Sequence, residues 1–352
     1  MIKLNMIEKR PIFSADQNWF HDCHANTQVV MESGTRLVVF WAGKTEGAPD
    51  QAIWLSRCVN GTWQDPQRIK YIWQMPHWNP VLLKYGSRVY LFYKIGLTVQ
   101  TWYTMVSYSD DEGLTWSESV EAVPGDYTPR ASVRNKILIA SNGWWIAPTS
   151  IETGTAMDSY MDISKDHGKT WEIHSIPMRH IPSAPLDPKD LWEGLLKGSL
   201  WENNLSIVGA WDGTIQPTIW ESSPGHIHAM MRSTRGKIYR SDSSDYGLTW
   251  SEAYPTVLPN NCCGIDAALM ENGLLAVVCN PVGHNWGKRT PLSVFLSADN
   301  GVTFSEPFHL ETAEGEYSYP SVLAEGDCLH IIYTSNRRNF IECRLQVSTD
   351  RG

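Results

Sequence analysis

The chain has 352 residues, 29 Lys and Arg against 38 Asp and Glu, a formal net charge of −9 and 19% charged residues. An acidic balance with no basic run excludes nucleic acid as an expected partner, and any acidic ligand has to be held by local cations. The 17 Trp suit a β-rich body with aromatic packing, and the length is long for one ordinary domain.

In chain order, MIKLNMIEKRPIF lacks an apolar stretch of signal-peptide length, and no segment is long enough to span a bilayer. A cytoplasmic chain without a membrane partner is the expectation, its first dozen residues adding an outer strand to the last unit. A repeat then begins. Ser109-Asp-Asp-Glu-Gly-Leu-Thr-Trp116 returns at Ser164–Trp171, Ser243–Trp250 and Ser297–Phe304, always Ser-x-Asp-x-Gly-x-Thr before an aromatic ring. Ser56–Trp63 reads as a worn copy without the Asp, and Ser348–Gly352 as the opening of another. From Ser56 the copies start 53, 55, 79, 54 and 51 residues apart. That period signals a repeat architecture with one insertion. The motif itself reads as a hairpin turn: Asp accepts from the backbone two residues on, Gly supplies positive φ, and the ring packs between sheets. These Asp residues are expected to be structural.

A second rhythm lies between the repeats. Short strands open at His24, Asn79, Asn135, Gln216, Asp266 and Tyr319, at intervals of 55, 56, 81, 50 and 53 residues. Each precedes an apolar strand (37–41, 89–93, 144–148, 227–231, 275–279, 329–333) that ends in polar residues. Those residues are Lys44, Glu46 and Asp50; Lys94; Ser150 and Glu152; Arg232; Asn280 and His284; Arg337 and Arg338. Two independent periodicities thus aim charged side chains at one concave mouth, where ligands bind. Trp41, Trp73, Trp78 and Trp286 are candidates to stack on a sugar. The seven Cys lack metal spacing and are expected as buried thiols, Cys262 and Cys263 being the one adjacent pair. No metal or organic cofactor is implied. Residues 181–204 fill the long gap, with Asp187 and Pro188 expected to start a short helix. The insertion serves either as a wall over the mouth or as surface decoration.

The four copies resemble the Asp-boxes of the bacterial neuraminidase-repeat (sialidase) superfamily, a likeness running from about Cys23 to the end. The resemblance implies an all-β, six-bladed β-propeller forming one domain over residues 1–352. It also implies a site with three Arg on a carboxylate, a Tyr nucleophile activated by a Glu, and an acid/base Asp. Asp50 in EGAPDQAIW resembles the acid/base, Arg232 and Arg289 the second and third Arg, and Tyr317 in EYSYPSV the nucleophile. His24 stands where the first Arg would be and Gln216 where the Glu would be. Neutral His lacks the bidentate fork, and Gln cannot take a proton, so Glu152, Glu316 or His24 would replace the base. Arg337 and Lys94 would assist on the carboxylate, with Asn79, Asn135, Glu46, Asp266 and Tyr319 as further substrate contacts. The implied activity is an exo-acting, sialidase-like glycoside hydrolase removing a terminal acidic sugar, of sialic or uronic type, from a glycan. Two alternatives stand beside it. One is a lyase on uronic-acid glycans, with His24 or Tyr317 removing the C5 proton. The other is a non-catalytic glycan-binding propeller.

Overall fold

In the computed structural model, which describes residues 2–349, each full repeat closes the hairpin between the third and fourth strands of a four-stranded group. In the first, Asp111 Oδ1 accepts from Thr115 N at 2.8 Å and Oδ2 from the Thr115 hydroxyl at 2.6 Å. The Ser109 hydroxyl donates to Asp111 at 2.7 Å and accepts from Gly113 N at 2.8 Å. The carboxylate therefore reaches four residues ahead rather than two, because Glu112 (φ 56°) and Gly113 (φ 81°) are both left-handed and fold the loop back. Asp166, Asp245 and Asp299 repeat the pattern. Hydrogen bonds from Thr170 and Thr303 hold Asp166 and Asp299 down at about 2.

Ser56–Trp63 differs. Val59 pairs with Thr62, so the turn holds only Asn60 and Gly61, both left-handed. A two-residue hairpin has no room for the Asp loop. Ser56 donates to Gln64 O, as Ser107 and Ser241 do to Ser117 and Ser251, so it is not the counterpart of the repeat serine. Residues 350–352 of the expected last copy lie outside the described residues.

Among the described residues the strands form five sheets. The eight-stranded one consists of two antiparallel groups joined by the parallel pairs Ala156↔Asp212 and Met157↔Gly213, which makes six groups in all. The sixth joins Tyr317–Glu325, Cys328–Ser335 and Asn339–Thr349 to the expected outer strand, Ile2–Pro11. Apolar seams lie between consecutive groups, and another joins the sixth to the first through Ile332 and Phe340 against Val38 and Phe40. The repeat aromatics Trp116, Trp171, Trp250 and Phe304 sit in these seams. Each fully buried Leu, Ile or Phe there contributes about 1.5–3 kcal/mol.

Four inner strands open on a bulge with a left-handed residue: Ala25, Asn79, Gln216 and Tyr319. A bulge bends the strand and re-aims its first side chains. The third group departs from expectation, since only Leu138–Ile139 pairs and Asn135 lies ahead of the strand. The insertion carries a one-turn helix, α1 (Glu193–Leu196), and a second, α2 (Leu205–Val208), follows it directly. Asp187 accepts from Lys189 N in a turn instead of capping a helix at Pro188, while Asn204 caps α2 through Ser206 N. Leu191, Trp192, Leu195 and Trp211 pack together against Met157 and Ile215. All seven cysteines are free thiols, buried except for Cys328, which is half-buried. Among the described residues no helix is long and apolar enough to cross a membrane.

Asp245→Ala is expected to destabilise the protein by about 1–2 kcal/mol, the loss of its Thr249 hydrogen bonds in a partly solvated site. The exposed Asp65→Ala should cost under about 0.5 kcal/mol. Urea midpoints at constant slope measure both, and equal shifts would contradict the structural role. Because the repeat carboxylates titrate below 3.8 when folded, their stabilisation is present above that pH and is lost as pH falls toward about 2. Acid titration of the Asp245→Ala variant should show a shallower loss over that window.

Candidate active site

The inner strands open on an enclosed chamber of about 40 Å³ lined by His24, Glu46, Asn79, Glu152, Gln216, Arg232, Arg289, Tyr319 and Arg337, with Trp41, Trp78, Trp102, Trp201, Trp211 and Trp286 as its aromatic walls. Tyr319 is central. Its hydroxyl accepts from Arg232 Nη1 at 2.5 Å, and its ring centroid lies 4.1 Å from that of His24. The guanidinium carbons of Arg134, Arg232 and Arg289 stand 5.3, 5.4 and 5.7 Å from the ring. Burial raises the Tyr319 pKa, while Arg232 and Arg289 work the other way, favouring phenolate.

The other two arginines are partly neutralised. Arg289 Nη1 donates to Glu316 at 2.5 Å, and its guanidinium lies 3.7 Å from the Trp192 ring centroid. Arg337 donates through Nη1 to Glu46 at 2.6 Å and through Nε to Glu316 at 3.2 Å. Burial pushes the Glu316 pKa up, but Arg337 and Arg289 outweigh it and hold the carboxyl below its ordinary value. Glu316 is thus a locked anion and not a free base. Three guanidinium groups against Glu46 and Glu316 leave one positive charge while Glu152 is protonated, and in that state the chamber suits one monoanionic group. Glu152 is half-buried, and its burial, reinforced by Glu46 and opposed by Arg232, raises it to about 7.

His24 is 2% exposed, with Nδ1 2.9 Å from the Thr334 hydroxyl. Burial first, then Arg337 and Arg289, push its pKa well below 6.5, so it stays neutral and adds no cation for a carboxylate. Four buried atoms on chamber residues have no hydrogen-bond partner among the described residues: His24 Nε2, Gln216 Oε1, Arg232 Nε and Arg337 Nη2. Buried polar atoms are normally paired; these four share that lack of a protein partner with buried atoms elsewhere, such as Gln28 Oε1 and Trp145 Nε1.

Several expected residues lie elsewhere. Asp50 is exposed, accepts from Lys44 N at 3.1 Å and lines a separate surface groove with His21 and Trp54. Tyr317 packs in the seam between the fifth and sixth groups, and its N donates to Arg289 O at 2.9 Å. It therefore supports Arg289 and does not line the chamber. Lys94 is buried against Ser132 O, with its pKa lowered to about 7 by burial. Asn135 donates to Gln216 O and Pro217 O at 3.0 Å, and Asp266 binds Lys136, Thr218 and Val322 N. Both serve the inner strands instead of the mouth. His284 is exposed on another groove, and Trp73 is 74% exposed on the surface. Trp192, Trp201 and Arg134 were not singled out from the sequence; the Trp residues of the insertion were the one signal for the first two, and Arg134, next to Asn135, had none. Among the described residues, no group of three or more His, Cys, Asp or Glu could hold a metal.

A family model described as a BNR repeat-like domain matches residues 34–331. No curated protein matches the chain at the sequence level. Among solved structures, the Hadza microbial sialidase Hz136 is 17% identical, with a TM-score of 0.70 over 95% of this chain and 68% of its own. The Trypanosoma rangeli sialidase is 15% identical, with a TM-score of 0.66 over 93% of this chain and 55% of its own. A protein of unknown function from Dyadobacter fermentans DSM 18053 is 12% identical, with a TM-score of 0.71 over 98% of this chain and 99% of its own. At these identities the likeness to solved structures is one of fold. The match over residues 34–331 goes further: the chain belongs to the BNR repeat-like domain family.

Proposed function

We propose that the chain is an exo-acting glycosidase that removes a terminal acidic sugar, built on a six-bladed propeller. Six antiparallel groups with a seam between the sixth and the first support the propeller. The fold neighbours include Trypanosoma rangeli sialidase in complex with sialic acid and as a covalent intermediate with 2,3-difluorosialic acid. The carrying observation is the bond from Arg232 to the Tyr319 hydroxyl in a chamber with one uncompensated positive charge.

A sugar carboxylate bridging Arg232 Nε and Arg337 Nη2 would satisfy two of the unpaired donors. Because Arg232 also holds Tyr319, the carbon bearing that carboxylate comes next to the phenol oxygen. Attack there requires the carboxylate to sit on the anomeric carbon, as in 2-keto sugar acids. Tyr319 Oη bonds to that carbon, passing its proton to Glu46, as the glycosidic C–O bond breaks. The leaving oxygen takes a proton from Glu152; the Glu152 carboxylate then takes a proton from the water that attacks the anomeric carbon, the Tyr319–carbon bond breaks, and Tyr319 regains its proton from Glu46. Gln216 stays an acceptor for a sugar hydroxyl.

One observation favours a second reading, β-elimination on a uronic acid. His24 is neutral, and its unpaired Nε2 belongs to the ring beside Tyr319. A base there would remove the proton next to the carboxylate. A panel of 2-keto sugar acid glycosides and uronic-acid oligosaccharides separates the two. Released acid without near-ultraviolet absorbance supports hydrolysis, a rising absorbance assigns the site to elimination, and neither signal from folded protein sinks both.

Tyr319→Phe is expected to lower turnover by roughly 10³-fold or more, while Tyr317→Phe and Asp50→Ala stay within about threefold, the scale of a surface change. Comparable losses for Tyr317 and Tyr319 would refute the assignment. With Glu152 as the acid, kcat/KM should fall as pH rises through about 7, and that limb should vanish in Glu152→Gln.

A further inference from the structure

Away from the chamber, the fourth group carries a side-chain relay that the glycosidase reading does not use. Asp212–Ser223 leaves the mouth at Gln216 and turns back through Pro224 and Gly225, at its opposite end, into His226–Ser233. The pairing shifts register between Glu221 and Ser223, and this bulge sets the exposed Ser222 beside His228. Ser222 Oγ lies 2.7 Å from His228 Nε2, and His228 Nδ1 lies 2.5 Å from Asp242 Oδ1 on Lys237–Ser243. Trp220 and Asp242 are the register partners of His228 on its two sides, and the Trp220 ring stacks on the imidazole at 5.3 Å.

The neighbours of the relay set its protons. Trp220 Nε1 donates to Asn300 Oδ1 at 2.7 Å, which turns the Asn300 amide nitrogen toward His228 Nε2 at 2.9 Å. An amide nitrogen only donates, so Nε2 is the acceptor and the imidazole proton sits on Nδ1, facing Asp242. Arg240 Nη2 stands 3.0 Å from Nδ1 but has Asp242 Oδ1 at 2.8 Å to bond. Burial pushes the Asp242 pKa up, yet hydrogen bonds from His228, Tyr254 and Arg240 outweigh it and hold the carboxyl well below its ordinary value. Hydroxyl, accepting imidazole and carboxylate, in that order, make a serine nucleophilic. We propose that Ser222, His228 and Asp242 form a second catalytic site, which hydrolyses acyl esters. Ser222 Oγ bonds to the acyl carbon while His228 Nε2 takes its proton and passes it to the departing alkoxide. Asn300 Nδ2 has a second hydrogen for the oxyanion. Water then attacks the acyl carbon, His228 takes a proton from it, and the Ser222–carbon bond breaks as that proton returns to Ser222 Oγ. The site stands whichever way the chamber acts.

The test is turnover of p-nitrophenyl acetate by the full chain, with a fluorophosphonate to mark the nucleophile. Ser222→Ala should abolish the fluorophosphonate adduct and lower turnover at least about tenfold. Asp242→Asn should slow both reactions by about as much, since general-base assistance is worth roughly 10²–10⁴-fold. Ser223→Ala, beside the relay and outside it, should stay within about twofold. Ser222 is exposed, so its replacement leaves the fold in place even if Asp242→Asn does not. An adduct mapped to another residue, an adduct without turnover, or turnover unchanged in Ser222→Ala would each overturn the site. So would an equal loss in Ser223→Ala, or unchanged rates in folded Asp242→Asn.

Discussion

The first strand of each group ends its sheet, apart from the parallel contact of Asp212 and Gly213 in the fourth, and along that free edge no further strand pairs with it among the described residues. Backbone groups stranded there cost about 1–3 kcal/mol each unless side chains satisfy them. Asn26 donates to Tyr319 O and Ile332 O, Arg134 to Tyr319 O and Pro320 O, and Asn135 to Gln216 O and Pro217 O. Asp266 accepts from Val322 N at 2.8 Å. These contacts run between groups and hold the left-handed residues Gln216 and Tyr319 in place from the carbonyl side. Such backbone geometry costs about 1–3 kcal/mol and persists only where its surroundings over-determine it. The chamber inherits its geometry from that edge.

Charge is handled with the same economy. Glu316 serves two arginines from a site 8% exposed, and Glu46 takes one nitrogen of Arg337. Buried ion pairs contribute little net stability because desolvation offsets their attraction. Arg232 makes no salt bridge among the described residues; it holds the Tyr319 hydroxyl and acts on Glu152 only through its charge. The neutral His24 and Gln216 remove a cation and an anion that the sialidase-like template would place here, so the overall balance is kept while its distribution shifts toward Arg337.

Much of this was legible in the sequence. The repeat spacing located every full hairpin, the two strand periodicities brought Arg232, Arg337, Glu46, Glu152, Gln216 and Tyr319 to one mouth, and the long interval marked the insertion. What was not legible depends on facing. Tyr317 and Tyr319 are two apart and would share a face in a regular strand, but the bulge at Tyr319 (φ 53°) separates them. Asp50 satisfies its own loop through Lys44 N, a local contact that spacing does not reveal. Lys94 ends its strand on the side of Ser132. The insertion belongs to no repeat, so nothing periodic pointed to Trp192, and local turn chemistry at Asp187 prevailed over the helix signal.

Ile2 lies opposite Thr349 in the sheet that joins the two ends of the described chain. Closing so long a loop costs little more than closing a moderate one, since each doubling adds only about 0.6 kcal/mol, yet non-local pairings of this kind form slowly. Once formed, the pairing covers the outer edge of Asn339–Thr349, whose other edge is held by Cys328–Ser335. Such an arrangement raises the barrier to unfolding more than it deepens the native minimum. Persistence, in a protein built this way, is a matter of rate.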